Sequence, residues 1–115
     1  MLAVYVAGPY RSATGWGIEQ NVRRAEVVGL DIARLGILPV VPHTMFRWYH
    51  GTEDDQFWLE ATLELMRRCD AVFFIDGWAG SEGCRGERLE AVDRGMLQFF
   101  EDDGGSVLLS QWAKR

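Results

Sequence analysis

Short runs in which nearly every residue is apolar constrain this chain more than any other feature. Leu2 to Ala7, Ile37 to Val41 and Ala71 to Ile75 each have strand length and lack the alternation of polar and apolar positions that a half-exposed strand shows. Strands of that kind are buried on both faces, the pattern of a parallel sheet with helices on either side. Amphipathic stretches separate them. From about Ile18, apolar positions recur at Val22, Ala25, Gly29 and Ile32, while Glu19, Arg23, Arg24, Glu26 and Arg34 fill the other side. This spacing predicts a helix with one buried stripe, stopped by Gly36. Thr52 to Asp55 supply an acidic, capped start for a second helix through Phe57, Ala61, Leu65 and Met66. A small-residue turn at Gly80 to Gly83 leads into a third helix from about Cys84 to Arg94, with Gly95 after it. Met96 to Phe100, the acidic turn EDDGG and Ser106 to Leu109 read as one or two further strands.

The order β-α-β-α-β-α-β-β implies an α/β fold, a flavodoxin- or Rossmann-like three-layer sandwich with a four- or five-stranded parallel sheet. A chain of 115 residues is enough for one core, so residues 1–115 form a single domain. In such sheets ligands bind beyond the carboxyl ends of the strands, where the winding reverses. That rim carries Gly8-Pro9-Tyr10-Arg11 after the first strand, Pro42-His43 after the second and Asp76 through Ser81 after the third.

Composition narrows the partners. Twelve Lys and Arg against seventeen Asp and Glu leave a net charge of −5, unsuited to gripping a nucleic-acid polymer through a broad basic surface. A small anion can still be bound at a local site. No apolar run reaches the ~20 residues of a membrane helix, and the start MLAVYVAGPYR has no basic segment before its apolar stretch, so no membrane contact and a cytoplasmic location are expected. Cys69 and Cys84 form no C-x-x-C and read as reduced core or helix residues. His43 and His50 stand outside any H-E-x-x-H, so no metal is expected.

Several rim residues can do chemistry, and each has a plainer alternative. Gly8 permits a close backbone approach and Arg11 can offer a bidentate fork to a phosphate, although a tight turn with a solvated arginine has the same sequence. Neither G-x-x-x-x-G-K-[ST] nor a G-x-G-x-x-G directly after a strand is present, which removes support for triphosphates and dinucleotides. Ser81 sits where the third helix begins, either as part of an anion site or as an N-cap; one hydroxyl does not easily do both. Glu87 shares a face with Cys84 and Ala91, while Glu90 and Asp93 occupy others. A helix N-terminus favours its ionised form, which suits a nucleophile; a solvated carboxylate is the alternative. His43 is either a hydrogen-bonding residue at the cleft or a capped loop histidine. Among the many aromatics, Trp48 and Trp78 are expected in rim loops where a base could stack, or else at an oligomer interface. Asp70, at the opposite edge, reads as structural, whereas Asp76 sits at the ligand edge and is either a rim residue or only a turn cap with Gly77.

Taken together, YVAGPYR, the G-x-x-P-x-x-P-H around the second strand, CDAVFFIDGW, and S-x-G-x-x-x-E-x-x-x-A from Ser81 to Ala91 resemble the nucleoside 2-deoxyribosyltransferase superfamily over roughly residues 3 to 95. DQFW beginning at Asp55 fits the same register. The likeness is closest to 2′-deoxynucleoside 5′-monophosphate N-glycosidases and their small bacterial and phage relatives. It implies that Glu87 attacks the anomeric carbon and that Tyr5 positions its carboxylate. It implies further that Gly8, Pro9 and Arg11 hold a 5′-phosphate with Ser81 and Gly83, and that His43 lines the pocket.

The chain departs from that pattern twice. Thr62 stands where the family has an Asp on the second helix, and Glu60 and Glu64 cannot replace it, because two residues along a helix turn a side chain by roughly 200°. The C-terminal Asn that transferases donate from a neighbouring subunit has no counterpart, since Asn21 is the only Asn. The resemblance therefore implies an N-glycosidase hydrolysing a (deoxy)nucleoside 5′-monophosphate, without cofactor, in a homo-oligomer with sites near the interface. The alternatives are a nucleotide-binding module impaired at Thr62, a deoxyribosyltransferase, or a structural oligomer with a vestigial rim.

Overall fold

The computed structural model describes residues 1–49 and 51–115; the reading of His50 concerns a residue outside them. Four strands, β1 (Ala3–Ala7), β2 (Leu38–Val40), β3 (Ala71–Phe74) and β4 (Leu97–Phe100), form one all-parallel sheet in the order β2-β1-β3-β4. This is the flavodoxin-like order, and the winding reverses between β1 and β3, where Tyr5 lies beside Val72 and Ala7 beside Phe74.

Alternation along the central strands sends side chains to both faces. Val4, Val6, Ala71 and Phe73 pack against Ala25, Val28 and Ile32 of α1 (Gly15–Ala33) and Leu109 of α5 (Gly105–Ala113). Tyr5, Ala7, Val72 and Phe74 face Met66 of α3 (Asp55–Arg67) and Ala91 of α4 (Glu82–Asp93). Each central strand is thus covered on both sides, which is why its sequence is apolar throughout.

Helix ends follow local chemistry. The Thr14 hydroxyl accepts from Gly17 N–H at 3.0 Å, so α1 starts a few residues before its first apolar position. Past its end, Gly36 has φ 80°, the left-handed conformation that releases the chain toward β2. Asp54 caps α3 through Phe57 N–H at 2.7 Å. No described helix is long and apolar enough to cross a membrane.

Two expectations are corrected. Ser106 to Leu109 belong to α5, not to a strand: Gly104, at φ 69°, turns the chain after an acidic 3-10 turn, and Gly105 fits tightly against the Phe100 backbone. Leu109, Trp112 and Ala113 then meet the core together, a spacing of three and four residues that is helical. The segment after β2 is the short helix α2 (Pro42–Met45), with Pro42 at its first turn, rather than an irregular loop.

Candidate functional site

An open cleft of about 1100 Å³ lies beyond the carboxyl ends of β1 and β3. Tyr5, Gly8, Pro9, Arg11, His43, Ser81, Gly83 and Glu87, the residues singled out from the sequence, all line it, although they come from three separate segments. Thr62 lines it too.

Its inner end is built from β1, α3 and α4. Tyr5, in the middle of β1, reaches α4, where its hydroxyl donates a short hydrogen bond to Glu87 Oε2. Tyr5 is wholly buried and Glu87 is 8% exposed. The Cys84 thiol, three residues earlier on α4, lies close enough to this carboxyl group to stabilise its charge, and Thr62 on α3 lies close enough to Tyr5 to influence it, although the Thr62 hydroxyl donates to the Leu59 carbonyl at 3.0 Å. Glu87 and Tyr5 therefore form one hydrogen-bonded pair, with Thr62 beside them on the cleft lining.

The electrostatics at this end differ from the sequence expectation. The helix N-terminus was expected to favour ionised Glu87, but burial dominates and pushes its pKa up from 4.5 to about 7, against the hydrogen bond from Tyr5 and the nearby Cys84 thiol. A carboxyl at that value exchanges its proton around neutrality, and such perturbed groups gather at functional sites. Burial and the neighbouring Glu87 charge hold Tyr5 well above its ordinary 10, so its O–H remains a donor. Glu60 takes an exposed hydrogen bond from Gln56 and Glu64 pairs with Arg67 and Arg68, so neither substitutes for a carboxylate at Thr62. Glu90, bridging Arg67 at 2.7 Å and Arg94 at 2.9 Å, stands on another face of α4.

The outer end is the loop after β1. His43 Nε2 lies 3.1 Å from the Gly8 carbonyl and 3.0 Å from that of Pro9; both oxygens only accept, so Nε2 carries the proton and donates. Burial lowers the His43 pKa, which keeps the ring neutral and leaves Nδ1 a buried acceptor with no partner among the described residues. The histidine is thus a hydrogen-bonding residue that anchors the loop. Asn21 Nδ2 continues the restraint, donating to the Tyr10 carbonyl at 3.0 Å and reaching that of Arg11 at 3.5 Å. Gly8 packs closely on Ile75: a Cβ there would meet Ile75 Cδ1 at 2.8 Å, so a larger residue needs that side chain to shift. A Cβ at Gly83 would have room, so the case for that glycine rests on position alone. Arg11 is exposed and paired with Asp55 at 3.1 Å.

Ser81 is the N-cap of α4, its oxygen accepting from Cys84 N–H at 3.3 Å. The two readings of this hydroxyl are compatible, because capping uses a lone pair and leaves the O–H free to donate. Asp70 is structural: its carboxylate accepts from Ala3 N–H at 2.8 Å, clamping the start of β1 at the edge away from the cleft. The Asp76 N–H donates to Glu101, which also holds Arg24.

Aromatic placement is the main correction at the site. Trp78 packs on Phe74 and Phe100, and Trp48 is 82% exposed beneath the Arg47 guanidinium; neither lines the cleft. Tyr10, Phe46 and Trp58 do. Phe46 and Trp58 have ring centroids 5.3 Å apart, and Tyr49 stacks on Trp58 at 5.6 Å. The sequence carries a signal for this wall. Asp55, Trp58, Leu59 and Thr62 repeat at three, four and seven residues, one stripe of α3, so a site position at Thr62 brings the others with it. Asn21 gave no signal beyond being polar near the start of α1. Among the described residues, no group of three or more His, Cys, Asp or Glu side chains gathers where it could hold a metal ion.

The fold and cleft define a parallel α/β protein with a rim site at the point where the sheet reverses. Residues 2–99 match the family described as a domain of unknown function (DUF7768), and the chain belongs to that family. No curated protein matches it.

Proposed function

We propose that the protein is a hydrolase of the N-glycosidic bond in a (deoxy)nucleoside 5′-monophosphate. The observation that carries this reading is Glu87: a buried carboxyl on the wall of a ligand-sized cleft, held by the Tyr5 hydroxyl and titrating near neutrality. Ionised Glu87 attacks the anomeric carbon as the carbon–nitrogen bond breaks, and the bonding pair leaves with the base, which takes up a proton. Water then hydrolyses the glycosyl ester, restoring the carboxylate and releasing the pentose 5-phosphate. Arg11, the Gly8-Pro9 segment, Ser81 and Gly83 receive the phosphate at the start of α4. Tyr10, Phe46 and Trp58 offer faces for the base. The likeness to nucleoside 2-deoxyribosyltransferases supports the same assignment. It also supports a homo-oligomer, for which exposed Phe57, Leu59, Leu89 and Val92 on α3 and α4 provide apolar surface. We place the activity in the cytoplasm, where such nucleotides occur.

A second reading, a nucleotide-binding module with impaired turnover, is favoured by one observation. Thr62 lines the cleft with Tyr5, at the place where a carboxylic acid could assist the leaving base. Incubation with a panel of nucleoside and deoxynucleoside 5′-monophosphates, with free base followed by chromatography, tests both. Base release supports hydrolysis, binding without release supports the module, and neither removes both.

A further inference from the structure

Arg11 already has an anion. Its Nη2 lies 3.1 Å from Asp55 Oδ2, and the two side chains are 74% and 77% exposed at the mouth of the cleft. The backbone on the Arg11 side is pinned: His43 holds the Gly8 and Pro9 carbonyls and Asn21 those of Tyr10 and Arg11. What remains free is the arginine side chain itself. Asp55 is the first residue of α3, where the helix N-terminus stabilises a carboxylate whether or not a cation faces it. The contact therefore joins an exposed guanidinium to an exposed carboxylate at a helix start.

Solvent-exposed pairs of this kind are weak, whereas a phosphate can take two parallel charge-assisted hydrogen bonds from a guanidinium. We propose that Asp55 is a specificity-determining residue that occupies Arg11 in the empty cleft and competes with the ligand's phosphate for it. The inference rests on Arg11 serving as a phosphate ligand, as in the proposed function, and assigns a role to a residue that reading does not use. A nucleoside, lacking the phosphate, leaves the Arg11–Asp55 pair intact and gains nothing from its removal. A monophosphate gains only the difference between two contacts. Asp55 thus sets how strongly the cleft prefers a phosphorylated ligand.

The test is calorimetric titration with one deoxynucleoside 5′-monophosphate and its nucleoside, in a Glu87→Gln background so that the ligand is not consumed. Asp55→Asn, exposed and isosteric, should bind the monophosphate about two- to fivefold more tightly, the range an exposed ion pair is worth, with nucleoside affinity unchanged. In an Arg11→Ala background the same substitution should have no effect. Unchanged or weaker monophosphate binding in Asp55→Asn overturns the proposal while leaving the phosphate site standing. An equal gain in the Arg11→Ala background also overturns it, because Asp55 would then act by general repulsion. Equal affinity for nucleotide and nucleoside before any change at Asp55 would remove the phosphate site and this role together.

Discussion

The two ends of the cleft place charge under opposite conditions. At the inner end Glu87 and Tyr5 are buried, and desolvation decides their protonation; at the mouth Arg11 and Asp55 are exposed, and water screens their attraction. A change at the inner end should therefore be large and pH-dependent, whereas one at the mouth should be small, salt-sensitive and confined to affinity. Under the proposed function, chemistry belongs to the first and recognition to the second.

Glu87→Gln should test the contrast most severely. Loss of the nucleophile should lower base release by at least about 10³-fold with monophosphate binding retained, measured by single-turnover release and by titration. The parent rate should rise with pH, half-maximal near 7, because only the carboxylate attacks. Stability should run the other way. Glu87 titrates at about 7 in the folded chain against 4.5 unfolded, so the native state holds more protons between those values. Stability then falls as pH rises through that window, and the loss is complete above it. Glu87→Gln, neutral throughout, should recover on the order of 1–3 kcal/mol at pH 8 in denaturant unfolding and nothing at pH 4. A variant less stable than the parent at pH 8 would break the claim that burial sets this group's chemistry.

Thr62→Asp sharpens the comparison from the other side. If proton delivery to the departing base limits the parent, a carboxyl beside Tyr5 should accelerate single-turnover release by roughly 10²–10⁴-fold with affinity little changed. Brisk parent release with no gain in the variant would show that another group already delivers the proton.

Tyr5→Phe should slow release at pH 7 by about 10- to 100-fold, the scale of a hydrogen bond to a charged group. It should also move the pH midpoint upward, since the phenol lowers the Glu87 pKa. A slower rate with an unmoved midpoint would make Tyr5 a packing residue only. The smallest effect belongs to the mouth. Arg11→Ala should reduce the preference for a monophosphate over its nucleoside by about three- to tenfold, less so in high salt, with the rate on bound ligand unchanged.

The same contrast explains what could be read without coordinates. β1 and β3 were legible because strands buried on both faces leave unbroken apolar runs, and the rim followed from their ends. Glu87 was legible because its helix places it with Cys84 and Ala91, but its protonation was not: helix polarity is a local property, and desolvation depends on what β1 and α3 bring over it. Arg11 was legible as a rim cation, yet its Asp55 partner comes from another element and no spacing announces it. Trp48 and Trp78 were misplaced because aromatic content near a rim does not say which way a ring faces, whereas the Asp55-to-Thr62 stripe on α3 does. The C-terminal helix is not legible in Ser106 to Leu109 alone, because Trp112, three residues on, completes its period.

The central claim is that Glu87 forms the covalent bond. Rapid-quench mass spectrometry of the parent protein mixed with a cleaved nucleoside 5′-monophosphate tests it directly. The account predicts a transient pentose phosphate adduct on the peptide carrying Glu87, appearing with free base and absent in Glu87→Gln. Base release by folded Glu87→Gln at the parent rate, with no adduct on that peptide in the parent, would contradict it.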